Sequence, residues 1–311
     1  MILENNTKVL VTGSSGFIGS EITKLLVSNN YEIFGLKHKN RSQEKLEDVN
    51  YQSLNGDLAS SSHVPHLPDN LDVIIHCAAI LPNREVPVSR RSELFALNEA
   101  MASNVCQIAK AHNVRLVIFA STANMYKNSL EVAAEDSEIA PEAEKEYFQS
   151  KLNAEFLIQE GLAGSGISLS ILRISTPFGP GENPAKVIPT FLMNAYNGKN
   201  LVLLGNLEAL QNYCYISDIA WAFKRCIELN LKGTYNIGSK SSTTLIQLAE
   251  EVLSIYPGSN SVIETVVNEA ISPRNFAPID ISKSEDQMGF NPTFLRTGLR
   301  KYANRMGLLV E

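Results

Sequence analysis

Over the first 175 residues, short apolar runs alternate with longer stretches whose apolar residues recur at helical spacing. "KVLVT" (8–12), "YEIFGLK" (31–37), "YQSL" (51–54), "DVIIHCA" (72–78), "RLVIFAS" (115–121) and "SLSILRI" (168–174) have the length and hydrophobicity of buried strands. "SEITKLLVSN" (20–29), "SELFALNEAMASNVCQIAKAH" (92–112) and "YFQSKLNAEFLIQEGL" (147–162) read as amphipathic helices. Parallel strands need crossover connections, and helices supply them, so this alternation predicts an α/β fold: a doubly wound parallel sheet with helices on both faces. From residue 175 the rhythm loosens. "STPFGPGENPAK" (175–186) reads as a Gly- and Pro-rich functional loop, followed by a helix "VIPTFLMNAYNG" and a strand "NLVLL". "DIAWAFKRCIELN" and "GTYNIGS" resume the helix and strand pattern, and the last 60 residues read as helix and loop.

Glycines punctuate the first strand-to-helix turn, "TGSSGFIGS" (12–20). A helix that starts just after a strand presents free amides and a positive dipole end to an anion. Gly13 permits the tight turn, Gly16 admits a pyrophosphate against bare backbone, and Gly19 lets helix and strand approach. On a second helix, Tyr147 and Lys151 in "YFQSK" lie four residues apart, on one face and one turn apart. An ammonium beside a phenol makes the phenolate accessible near neutral pH, as general acid–base chemistry requires.

Composition excludes other classes. The 311 residues carry a net charge of −6, with no basic excess to attract nucleic acid. No run of 18 apolar residues marks a membrane span. The four cysteines (Cys77, Cys106, Cys214 and Cys226) are far apart and sit among apolar residues, which predicts reduced core thiols and a cytoplasmic protein. No metal-ligand cluster stands out.

Together, "TGSSGFIG", "GDL" (56–58), "HCAA" (76–79) and "YFQSK" resemble the extended short-chain dehydrogenase/reductase family, in its branch of NAD(P)-dependent nucleotide-sugar epimerases, dehydratases and reductases. The likeness covers nearly the whole chain. It implies a Rossmann-type domain over 1–175, to which 214–240 returns. A smaller interleaved substrate lobe would comprise 176–213 and 241–311, with a cleft between the two. The cofactor is expected against Gly13, Ser15, Gly16, Phe17, Ile18 and Gly19. Asp57 and Leu58 are expected near its adenine, with Cys77, Ala78 and Ala79 alongside and Asn98 supporting from the helix behind. His76 is assigned no chemistry. The end of the second strand, "GLKHKNRS", places Lys37 where NAD-preferring relatives carry an acid, with His38, Lys39 and Arg41 following, and this predicts a preference for NADP over NAD.

By the same resemblance Tyr147 is the acid/base, Lys151 lowers its pKa and grips the nicotinamide ribose, and Thr122 (or Ser121, one register away) hydrogen-bonds the reacting oxygen. Family dehydratases carry Asp-Glu directly after that Thr; Ala123 and Asn124 stand here, which disfavours elimination of water. Thr176 and Gln211 replace an Asn and an Arg common among nucleotide-sugar enzymes, and Arg274 in "SPRNF" is a candidate phosphate clamp. The implied substrate is a nucleotide-linked sugar or another small hydroxy or keto compound, and the implied assembly is a homodimer through a bundle of the helices near 93–111 and 146–161. A non-catalytic NAD(P) sensor is the alternative of another class; such modules tend to lose the Tyr-Lys pair, which this chain keeps.

Overall fold

The computed structural model describes residues 7–38, 48–60, 65–81, 87–127, 131–139, 145–205, 207–266, 276 and 278–309. Its strands are β1 (Lys8–Thr12), β2 (Glu32–Lys37), β3 (Tyr51–Asn55), β4 (Val73–His76), β5 (Leu116–Thr122), β6 (Ser168–Ile174), β7 (Thr176–Phe178), β8 (Leu201–Leu204), β9 (Tyr213–Tyr215), β10 (Gly233–Ile237) and β11 (Ile263–Val266). Its helices are α1 (Phe17–Val27), α2 (Val88–Ala111), α3 (Lys145–Leu162), α4 (Val187–Tyr196), α5 (Ile216–Leu229), α6 (Leu245–Leu253), α7 (Ser282–Met288) and α8 (Leu295–Arg305).

Seven strands form one mostly parallel sheet in the order β10-β6-β5-β4-β1-β2-β3. Every residue of β4 and β5 is buried, as expected for central strands covered on both faces. The order reverses at β1, which pairs in parallel with β2 on one side and β4 on the other. In open α/β sheets the crevice beyond the carboxyl ends of the strands at such a reversal is where ligands bind. The glycine turn follows β1, and the Cys77–Ala79 turn follows β4.

The described chain packs as two compact units. The first comprises Met1–Met125, Glu144–Arg173 and Ile219–Tyr235; the second comprises Tyr126–Ala143, Ile174–Asp218 and Asn236–Glu311. In the first, one face of the sheet is sealed by Met101, Ala102, Val105 and Ala109 of α2 and by Ala154 and Ile158 of α3, packed with Leu10, Ile74 and Val117. In the second, two short parallel pairs, β7 with β9 and β8 with β11, are accompanied by α4, α6, α7 and α8. Asn236, fully buried, organises part of this unit: its side chain accepts from the Tyr126 hydroxyl and donates to the Ala133 and Asp280 carbonyls.

Three segments differ from the sequence reading. The loop at 175–186 begins with β7, Tyr213–Tyr215 forms β9, and the C-terminal stretch contains β11. Strands of three or four residues leave no measurable period, and each of these exists through one partner remote in the chain.

Candidate active site

In the glycine turn, Gly13 adopts φ +69°, and a Cβ there would lie 2.7 Å from the Ala78 backbone nitrogen. The position therefore demands glycine on both conformational and steric grounds. A Cβ on Gly19 would collide with the Gly13 carbonyl oxygen, so α1 can run this close to the turn only without one. Gly16 is the N-cap of α1 and supplies no side-chain cap, and the first turn of that helix holds no acidic residue. Its leading amides are thus left for an anionic partner, which fits the pyrophosphate of a dinucleotide. Ser15, Phe17 and Ile18 are partly exposed around it.

The facing turn is held to β1 by Thr12. Its hydroxyl accepts from the Ala78 N–H (3.2 Å) and pairs with His76 Nδ1 (2.8 Å). His76 also stacks on Phe119, and burial, followed by the Lys151 charge, pushes its pKa down to about 3, so the ring is neutral. His76 therefore positions the turn. Burial drives the neighbouring Cys77 thiol up to about 12, against the Lys151 charge. Asp57 caps its own turn through the Ala59 N–H (2.9 Å), and the Leu58 side chain is buried in the core. Lys37 is half-buried at the end of β2 and His38 is exposed. Lys39 and Arg41 lie outside the described residues.

Asn98 joins this crevice to α3. Its Oδ1 accepts from the Ile80 N–H (2.7 Å), and its Nδ2 donates to the Ile80 carbonyl and to the Ser150 hydroxyl (3.1 Å). Ser150 in turn donates to the Tyr147 carbonyl (2.8 Å). The turn of α3 carrying Tyr147 is thus tied to the loop after β4. Tyr147 is partly exposed and packs against the Phe95 and Phe148 rings. One turn on, Lys151 is 4% exposed, with Nζ 4.3 Å from the Phe119 ring centroid. Burial lowers its pKa to about 8, while the Cys77 and Glu155 charges oppose the fall.

Below Lys151 lies a buried cluster that sequence reasoning missed. Arg173 of β6 donates to both oxygens of Glu155 (Nε–Oε1 3.2 Å, Nη2–Oε2 2.8 Å), and the Ser121 hydroxyl donates to Oε1. Ser121 faces this carboxylate, whereas Thr122, the last residue of β5, accepts from the Asn124 N–H (3.2 Å). Glu155 follows Lys151 by four residues on one helix, a spacing that a search of the core-facing side of α3 for charges would have found.

In the second unit the structure brings Thr176 and Gln211 together: the Thr176 hydroxyl donates to Gln211 Oε1 (3.3 Å). Both line a cavity of about 300 Å³, whose wall includes Glu182, Lys186, Tyr213 and the apolar Phe178, Val187 and Leu204. Arg274 lies outside the described residues.

This geometry has known relatives. The model of the NAD dependent epimerase/dehydratase family matches residues 9–238. The chain belongs to that family. It is therefore an enzyme of the extended short-chain dehydrogenase/reductase type, in a family named for NAD dependence. It is 24% identical to a dTDP-4-dehydro-6-deoxy-D-allose reductase of a Streptomyces species over 95% of this chain and 94% of that one. It is 28% identical to human dTDP-D-glucose 4,6-dehydratase over 83% of this chain and 76% of that one. The UDP-glucose 4-epimerase of Thermotoga maritima, solved with UDP-glucose, shares the fold with a TM-score of 0.83 at 21% identity, over 97% of this chain and all of that one.

Proposed function

We propose that this chain transfers hydride to or from a carbinol or ketone carbon of a nucleotide-linked sugar, as an epimerase or a net reductase. The observation that carries the reading is the buried Lys151 one helical turn from Tyr147, in a segment of α3 tied through Ser150 and Asn98 to the loop after β4. When bound, the nicotinamide accepts or returns the hydride. Gly13 and Gly16 with the uncapped start of α1 hold the pyrophosphate. Tyr147 takes the hydroxyl proton as the carbon loses hydride and returns it in reverse, Lys151 stabilises the phenolate, and Thr122 orients the reacting oxygen. Elimination of water is disfavoured, because Ala123 and Asn124 bring no carboxylate where a dehydratase needs one.

The relatives and the structural neighbour named above act on, or were solved with, dTDP- or UDP-linked sugars, and this supports a pyrimidine nucleotide in the substrate. The cavity at Thr176 and Gln211 is our candidate for its binding. NADP is the preferred cofactor in this reading, on the strength of Lys37 and His38; tighter binding of NAD than of NADP in a direct titration rejects it. A homodimer through α2 and α3 is supported by Leu97, Phe156 and Leu157, which are 37–57% exposed on those helices, and sedimentation of Phe156→Lys tests it. The four free thiols support a reducing compartment such as the cytoplasm.

The deciding assay incubates the protein with dTDP- and UDP-sugars and follows nicotinamide absorbance alongside product NMR. Tyr147→Phe is expected to lose 10²-fold or more in turnover, the usual worth of a general acid–base. Full turnover by that variant refutes the assignment. A stereoisomer formed without net absorbance change marks an epimerase, and stoichiometric change marks a reductase.

A further inference from the structure

Glu182 sits in the loop after β7, and its side chain is 4% exposed. Oε1 meets Lys186 Nζ at 3.4 Å, and Oε2 has no hydrogen-bond partner among the described residues. It lines the 300 Å³ cavity, whose wall is otherwise largely apolar; there the Thr176 hydroxyl is engaged by Gln211, and Lys186 by Glu182 itself. A carboxylate kept in such a place with an unmet oxygen is destabilising, and a leucine or glutamine there would be easier to bury. Small-molecule sites are built this way, with apolar walls and a few polar groups that fix orientation.

We propose that Glu182 is a specificity-determining residue of this cavity, accepting a hydrogen bond from an N–H or O–H donor on the pyrimidine nucleotide of the substrate. The inference rests on the nucleotide-sugar reading above. Two parts of a nucleotide offer that chemistry: the imide N–H of the base and the hydroxyls of the ribose. Burial raises the carboxyl pKa to about 7, with the Lys186 charge opposing, so near neutral pH the group has both an acceptor form and a reason to gain a partner.

The test measures dissociation constants calorimetrically for UDP, dTDP, N3-methyl-UDP and 2′,3′-dideoxy-UDP on the wild type, Glu182→Gln and Glu182→Ala. A hydrogen bond to a charged group predicts roughly 10- to 100-fold weaker UDP binding by Glu182→Ala. One analogue is expected to lose by a similar factor on the wild type and by less than about 3-fold further on Glu182→Ala, which identifies the base or the ribose as the donor. Because the analogue perturbs only the ligand, a folding defect in the variants cannot mimic that pattern. If the variants bind UDP within about 2-fold of the wild type, or the analogues lose equally on wild type and variants, Oε2 serves only water and the inference is overturned. Failure of the wild type to bind either UDP or dTDP instead overturns the nucleotide reading, and this inference with it.

Discussion

Removing the Arg173 guanidinium isolates a buried charge. In Arg173→Met, Glu155, whose side chain is 3% exposed, loses both guanidinium hydrogen bonds and keeps, among the described residues, the Ser121 hydroxyl and the Lys151 charge one helical turn away. Breaking one partner of such a pair costs about 3–5 kcal/mol, because the remaining charge loses its hydrogen-bonded counter-ion. With an unfolding entropy of roughly 2 cal/mol/K per residue over 311 residues, that is a fall in Tm of about 5–8 °C. Arg173→Met/Glu155→Leu removes the stranded charge and is expected to recover to within about 2 kcal/mol of the wild type, the remainder being the acceptor lost by Ser121. Thermal melts followed by circular dichroism and by the single tryptophan, Trp221, provide the readout. A single variant that melts within about 2 °C of the wild type, or a double variant no more stable than the single, refutes the claim that the stranded carboxylate dominates.

Three further outcomes are expected. Gly13→Ala forces a Cβ to 2.7 Å from the Ala78 nitrogen at φ +69°, so it should lose at least about 1–2 kcal/mol of stability and more than tenfold in dinucleotide affinity, read by ligand-induced thermal shift. Lys151 is protonated below about pH 8 in the folded chain but up to 10.5 when unfolded; the unfolded state binds the extra proton, so the stability of the wild type relative to Lys151→Met should rise by about 2–3 kcal/mol between pH 7.5 and 10. Taking that difference removes the buried thiols, whose raised pKa values act in the opposite direction; a flat difference in urea titrations rejects the depressed pKa. For Glu182 the folded pKa of about 7 exceeds the unfolded 4.5, so the wild type should lose about 2–3 kcal/mol relative to Glu182→Gln as pH rises through that window. The facing Tyr213 and Tyr302 hydroxyls are pushed further up by burial, so neither contributes a competing slope.

Periodicity and turn chemistry were enough to read the α/β class, the first six strands and the three helices of the first half, because each is specified by contiguous residues whose pattern matches its own geometry. The glycine turn was legible for the same reason: three glycines at fixed intervals after a strand allow few backbone paths. The Tyr147 and Lys151 pair was visible because four residues along a helix is one turn. What lay beyond that reach required distant segments to meet. Glu155 gains its meaning from Arg173 and Ser121, His76 from Thr12 and Phe119, and β7 exists only because β9 lies beside it. Glu182 is one letter in a Gly- and Pro-rich loop, with no local pattern to distinguish it from a solvated acid. Its burial, its contact with Lys186 and its place in a cavity wall arise only when the chain packs, since desolvation is a property of the surroundings and no residue carries it alone.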